Sequence, residues 1–206
     1  MLTVATVLRS GSTYGPEWVE RLRRQVQDHL PVDHRFVCLS DVDVPCERIE
    51  LETDWPGWWA KLEMWRPGTF DGPVLYFDLD TLIVDDISAL ATYSGRRAAL
   101  NDFFNPEMAA TGVLAFDGTD TDDAWAYIMD SLKWFGGRSD LFLVPIFRHA
   151  DRLQDLFPGL IGSYKAHHLG DGPRHHSVVC FHGEPTLPSL SPKHWARRYW
   201  ENHGFR

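Results

Sequence analysis

The chain is short of positive charge, with 20 Lys and Arg against 29 Asp and Glu and a formal net charge of −9. A sequence-independent nucleic-acid binder needs surplus basic side chains to displace counterions from phosphates, so this balance argues against nucleic acid as a partner. An anionic ligand would have to be met by a local positive spot. Cysteine is scarce and odd in number: Cys38, Cys46 and Cys180 show no zinc-type spacing, and two of them sit in apolar runs. That usage fits a reducing compartment. The opening "MLTVATVLRSGSTYG" has no charged start before an apolar stretch, and its hydrophobic run is too short for a signal peptide or membrane span. No transmembrane segment and a cytoplasmic location are expected. Repeats, low-complexity tracts and linkers are lacking too. Met is sparse at four, whereas Trp is abundant at nine; Trp suits places where one ring face is apolar and an edge needs a polar partner.

A length of 206 residues allows one full core, and residues 1–206 read as a single domain. "LTVATVL" predicts a buried strand, and "PEWVERLRRQVQDHL" a helix, with Pro16 at its start and Trp18, Leu22 and Val26 at helical spacing. "HRFVCLSD" follows as a second strand. "PGWWAKLEMWRPG" predicts a short amphipathic helix whose stripe holds Trp58, Trp59, Leu62 and Trp65, with Lys61 at its edge. Helical patterns recur in "DTDDAWAYIMDSLKWFGG", "SDLFLVPIFRHADRLQDLF" and "KHWARRYWENH". Strand patterns recur in "GLIGSYK" and "SVVCF". The alternation predicts an α/β fold, a mixed sheet covered on both faces.

The informative stretch is "PVLYFDLDTLIVDD". An apolar strand pattern carries Asp78 and Asp80 at its centre, and residues i and i+2 of a strand share a face. Two like charges that close raise each other's pKa unless a cation intervenes, and paired carboxylates suit hard ions such as Mn²⁺ or Mg²⁺. The plain alternative is that one acid caps a turn while the other is solvated. "FDLDTLIVDD" also resembles the Asp-x-Asp-Gly-Thr nucleophile motif of haloacid-dehalogenase-type phosphatases, in which Asp78 would attack phosphorus. The Gly is missing, more than seventy residues precede it, and no downstream acid completes a magnesium site.

Taken in order, "VATVLRSGSTYG", "GWWAKLEMW", "VLYFDLDTLIVDDI" and "VVCFHGEPTLP" resemble the sugar-nucleotide glycosyltransferases of the GT-A fold. The group concerned contains glycogenin and the bacterial lipopolysaccharide galactosyltransferases. That resemblance implies a Rossmann-like, mostly parallel sheet flanked by helices. It implies a nucleoside diphosphate sugar as donor, a UDP-sugar, and a sugar, lipid or protein as acceptor. Tyr14 matches the ring placed against the nucleotide base; Lys61, with Arg9, would bring positive charge to the nucleotide. Asp78, Asp80 and His182 match the ligands of Mn²⁺ or Mg²⁺, with Asp78 also on the donor side. Asp102 matches a position that touches donor sugar hydroxyls, and Asp140 stands on the acceptor side; a loop acid or helix cap is the plain alternative for both. The histidines of "AHHLGDGPRHH" read as a solvated loop. Two departures fall on the sugar side: "AATGVLAF" lacks the group's Asn, and "GGRSDLFLV" lacks its Gln. A donor-binding protein without catalysis is therefore a further alternative, and the stereochemistry is left open.

Overall fold

The computed structural model describes residues 1–132, 142–143 and 145–204. Strand β1, Leu2–Leu8, pairs in parallel with β2, His34–Ser40, on one side and β4, Pro73–Phe77, on the other. Helix α1, Pro16–His29, connects β1 to β2 and begins on Pro16, where a missing N–H is tolerated and a fixed φ suits the first turn. With β3 (Glu47–Glu50), β6 (Arg97–Asn101), β7 (Ala109–Asp117) and β8 (Asp151–Arg152), the main sheet has the order β3-β2-β1-β4-β7-β6-β8. Only β7 opposes its neighbours, so the sheet is mixed and mostly parallel.

A smaller sheet holds β5 (Thr81–Ile83), β10 (Val178–Cys180) and β9 (Ile161–Ser163) in the order β5-β10-β9. Its β5 edge is closed by side chains. The Ile83 N–H donates to Gln25 Oε1 at 2.8 Å, and the Ile83 carbonyl accepts from the Tyr199 hydroxyl at 2.5 Å.

Side-chain alternation along the strands separates two apolar layers. Leu75 and Phe77 of β4 join Val4, Leu8, Leu22 and Val26 beneath α1, together with Trp200 of the C-terminal helix, Trp195–Asn202. Val74 and Tyr76 join Ala5, Leu62, Met64 and Trp65 on the opposite face, beside Ala124 and Ile128 of helix α2, Asp122–Ser131.

Two expected elements differ. Gly57–Trp65 is a 3₁₀ helix, in which side chains three apart superpose. Its buried set is Ala60, Leu62, Glu63, Met64 and Trp65, and Trp58 leaves the expected stripe at 62 % exposure. The second expected helix, from Ser139, lies partly outside the described residues. Its remainder breaks at Pro145 into turns, the edge strand β8 and a single helical turn, Leu153–Leu156, because Asp151 and Arg152 pair with Ala98 and Ala99. Among the described residues no helix is long and apolar enough to cross a membrane.

Candidate active site

Because β1 and β4 are parallel neighbours, their carboxyl ends open on one rim, where open α/β sheets bind ligands. A cleft of about 740 Å³ lies there, lined by Arg9, Tyr14, Lys61, Asp78, Asp80 and His182 among others. Six of the eight residues singled out from sequence therefore meet in one place.

The acids converge for a different reason than shared strand alternation. Strand β4 stops at Phe77, and the Thr81 N–H donates to the Asp78 carbonyl at 3.1 Å, so Asp78 to Asp80 form a turn. Thr6 Oγ1 donates to the Phe77 carbonyl at 2.9 Å and the Asp78 N–H to the Gly112 carbonyl at 2.9 Å, fixing the backbone on both sides of the turn's start. Asp78 Oδ1 receives both Lys61 Nζ and the Tyr76 hydroxyl at 2.5 Å. Lys61 Nζ also lies 3.3 Å from the Thr111 carbonyl, so the patch that departs from the family pattern touches the same lysine.

Asp80 accepts the Tyr14 hydroxyl at 3.1 Å. Burial, and then the charge of Asp78, push its carboxyl up to about 7. The same surroundings raise the Tyr14 hydroxyl, burial first and Asp80 next. The Tyr14 ring packs edge-on against Trp18 at 4.8 Å, so it is held from both ends. One ammonium facing two carboxylates leaves the pair a positive charge short. Hard oxygen donors in that condition fit a divalent cation such as Mn²⁺ or Mg²⁺.

His182 reaches the same cleft from the end of β10. Its Nε2 lies 2.7 Å from Ser163 Oγ, and its ring stacks on Phe103 at 5.9 Å between centroids. Burial, then Lys165, hold its pKa below the ordinary histidine value. Among the described residues, no three His, Cys, Asp or Glu side chains gather as a metal-ligand cluster. Asp78, Asp80 and His182 thus share a cleft without forming a closed triad.

Arg9 is an anchor in this structure. Its guanidinium donates to the Thr53 carbonyl at 3.0 Å and pairs with Asp41 at 3.5 Å and Asp54 at 3.4 Å. Behind it stands Glu63, which sequence reasoning missed: fully buried, it accepts from the Glu52 N–H at 2.7 Å and the Thr53 N–H at 2.9 Å. An acid set between Leu62 and Met64 in the run "LEMW" was the available signal. Asp102 does not line the cleft: its Oδ1 accepts the Phe104 and Asn105 N–H groups at 2.8 Å and folds the loop carrying Phe103, whose ring stacks on His182. Asp140 lies outside the described residues.

The histidine loop is less solvated than expected. His168 and His175 are exposed, but His176 is buried with Nδ1 2.7 Å from the Gly159 carbonyl, and His167 Nδ1 accepts the Ser163 N–H at 2.9 Å. Leu169, buried in the core, draws the segment inward.

No family model and no curated protein sequence matches this chain. Solved structures do. A galactosyltransferase, LgtC, crystallised with donor and acceptor sugar analogues, superposes with a TM-score of 0.67 at 12 % identity, covering 98 % of this chain and 95 % of its own. The glycosyltransferase GlyE of Streptococcus pneumoniae TIGR4 gives 0.73 at 12 % identity over 100 % of this chain and 61 % of its own. The bifunctional glycosyltransferase WbbM gives 0.70 at 12 % identity over 98 % of this chain, which spans 49 % of that protein. The fold is thus one shared with glycosyltransferases, a mixed α/β sheet flanked by helices.

Proposed function

We propose that this protein is a metal-dependent glycosyltransferase that moves a hexose from a nucleoside diphosphate sugar, a UDP-sugar, to a sugar, lipid or protein acceptor in the cytoplasm. One observation carries the proposal: a half-buried, charge-crowded carboxylate pair faces a large cleft at the strand ends of a fold shared with solved glycosyltransferases. Asp78 and Asp80, with His182 as a third group, would hold Mn²⁺ or Mg²⁺. When bound, such an ion supplies Lewis-acid stabilisation of charge on the departing diphosphate.

The chain's own residues bind and orient. Lys61, already at the acid pair, would supply positive charge beside the diphosphate, and Arg9 would hold the β1 loop against the 53–54 turn. This is how a protein of net charge −9 would accept an anionic donor. Tyr14 keeps the Asp80 carboxyl aimed into the cleft and offers its ring near the base. Asp102 and Asp140 are assigned to the sugar and acceptor sides.

Thermal-shift and calorimetric titration with UDP, with and without Mn²⁺, tests the proposal. Wild type should be stabilised by UDP only when Mn²⁺ is present, and Asp80→Ala should lose at least tenfold in affinity. Failure of every nucleoside diphosphate to bind would refute it. Metal-dependent UDP binding with neither transfer nor slow donor hydrolysis would identify a binding protein instead.

A further inference from the structure

The Trp-rich segment before the acid pair divides sharply in the structure. Trp65 is fully buried against Phe116 at 4.6 Å; Trp59 packs on Phe142 at 5.6 Å, and Trp55 on Trp125 at 5.9 Å. Trp58 and Trp59 both line the cleft, but of the four only Trp58 is largely exposed, at 62 %. The exposed indole forgoes the burial its three neighbours obtain and presents a flat apolar face, with a polar N–H edge, at the cleft.

The 3₁₀ geometry says where that indole stands. Side chains at i and i+3 superpose, so Trp58 lies directly over Lys61, roughly 6 Å further along the helix axis. Lys61 reaches Asp78, which places Trp58 one turn out from the acid pair on the same wall. The wall around the ring is mixed: Pro56, Trp59 and Phe181 line the same cleft, and so do the hydrogen-bonding and charged groups of Arg9, Ser12, Thr13 and Lys61. A flat apolar face bordered by hydrogen-bonding groups matches a pyranose, which has an apolar C–H face and a hydroxyl edge. A lipid chain would need a continuous apolar track.

We infer that Trp58 is the stacking platform for a sugar ring of the acceptor, so that the acceptor is a carbohydrate or glycoconjugate whose terminal ring lies on the indole. This rests on the glycosyltransferase proposal, because the diphosphate end of the donor is what fills the acid end of the cleft. The platform then sets which face of the acceptor meets the donor carbon.

The test uses the full chain with Mn²⁺ and UDP present, in wild type, Trp58→Ala and Trp58→Phe. Saturation-transfer NMR is recorded with methyl α-D-glucopyranoside, methyl β-D-galactopyranoside and lactose as probes, and the UDP Kd is measured in parallel by calorimetry. At least one glycoside should receive saturation from wild type. That signal should drop fivefold or more in Trp58→Ala and be largely kept in Trp58→Phe, while the UDP Kd stays within twofold. Equal signals in wild type and Trp58→Ala, or no signal from any glycoside in wild type, would overturn the inference. A fivefold weakening of UDP in Trp58→Ala would overturn it as well, by assigning the ring to the nucleobase. Failure of wild type to bind UDP would count against the parent proposal, since the glycoside signals report on the platform separately.

Discussion

At the scale of single residues, Asp80 is a carboxyl held far above its ordinary range. Its carboxyl rises from 3.8 to about 7 through burial and the neighbouring Asp78. A carboxyl raised in this way binds its proton more tightly in the folded state than in the unfolded one, so its contribution to stability falls as pH rises from about 4 to 7. His29, His176 and His182, whose pKa values are lowered, act in the opposite direction. The informative quantity is therefore a difference. In metal-free buffer, Asp80→Asn should match wild type near pH 4 and exceed it by on the order of 2–4 kcal/mol at pH 7.5, measured by urea denaturation. Parallel stability curves for the two proteins would show that Asp80 is not strained by its surroundings.

At the scale of elements, the 3₁₀ helix Gly57–Trp65 presents Lys61 and Trp58 to the cleft and sends Glu63 backward to hold the 52–53 backbone. Thr53 in turn gives its carbonyl to Arg9, so the helix fixes the β1 loop at one remove. Glu63→Ala would strand the Glu52 and Thr53 N–H groups and cost about 2–4 kcal/mol. Hydrogen exchange at those two amides should accelerate with it. A loss below about 1 kcal/mol would mean the loop finds other acceptors. Much at this scale was legible in the sequence, because it is local: the β1–α1 unit, the apolar strand entering the acid pair, and the strand before His182 all follow from short-range pattern. Three features were not. The tight winding of 57–65 depends on what its two faces pack against, the end of β4 at Phe77 depends on Thr6 and Gly112 from other strands, and the hold of Ser163 on His182 joins residues 19 apart. Periodicity reports which face is apolar and carries no record of distant partners.

At the scale of the whole molecule, the cleft gathers its groups from β1, the 3₁₀ helix, β4 and β10, so it exists only when both sheets are assembled. The small sheet is the more delicate partner, with strands of three residues each. Its outer strand β5 is sealed from one side by Gln25 of α1 and Tyr199 of the C-terminal helix. A chain cut before Trp195 keeps Gln25 but loses Tyr199 and the helix that carries it, which uncovers part of the strand margin, the kind of surface that recruits another copy of itself. Such a truncation should run as oligomers or precipitate in size-exclusion chromatography with multi-angle scattering, whereas Tyr199→Phe, which keeps the ring and removes one hydroxyl, should remain in the wild-type peak. On that outcome the last helix would also be a guard against self-association: eight residues that help keep a sheet from growing beyond its own molecule.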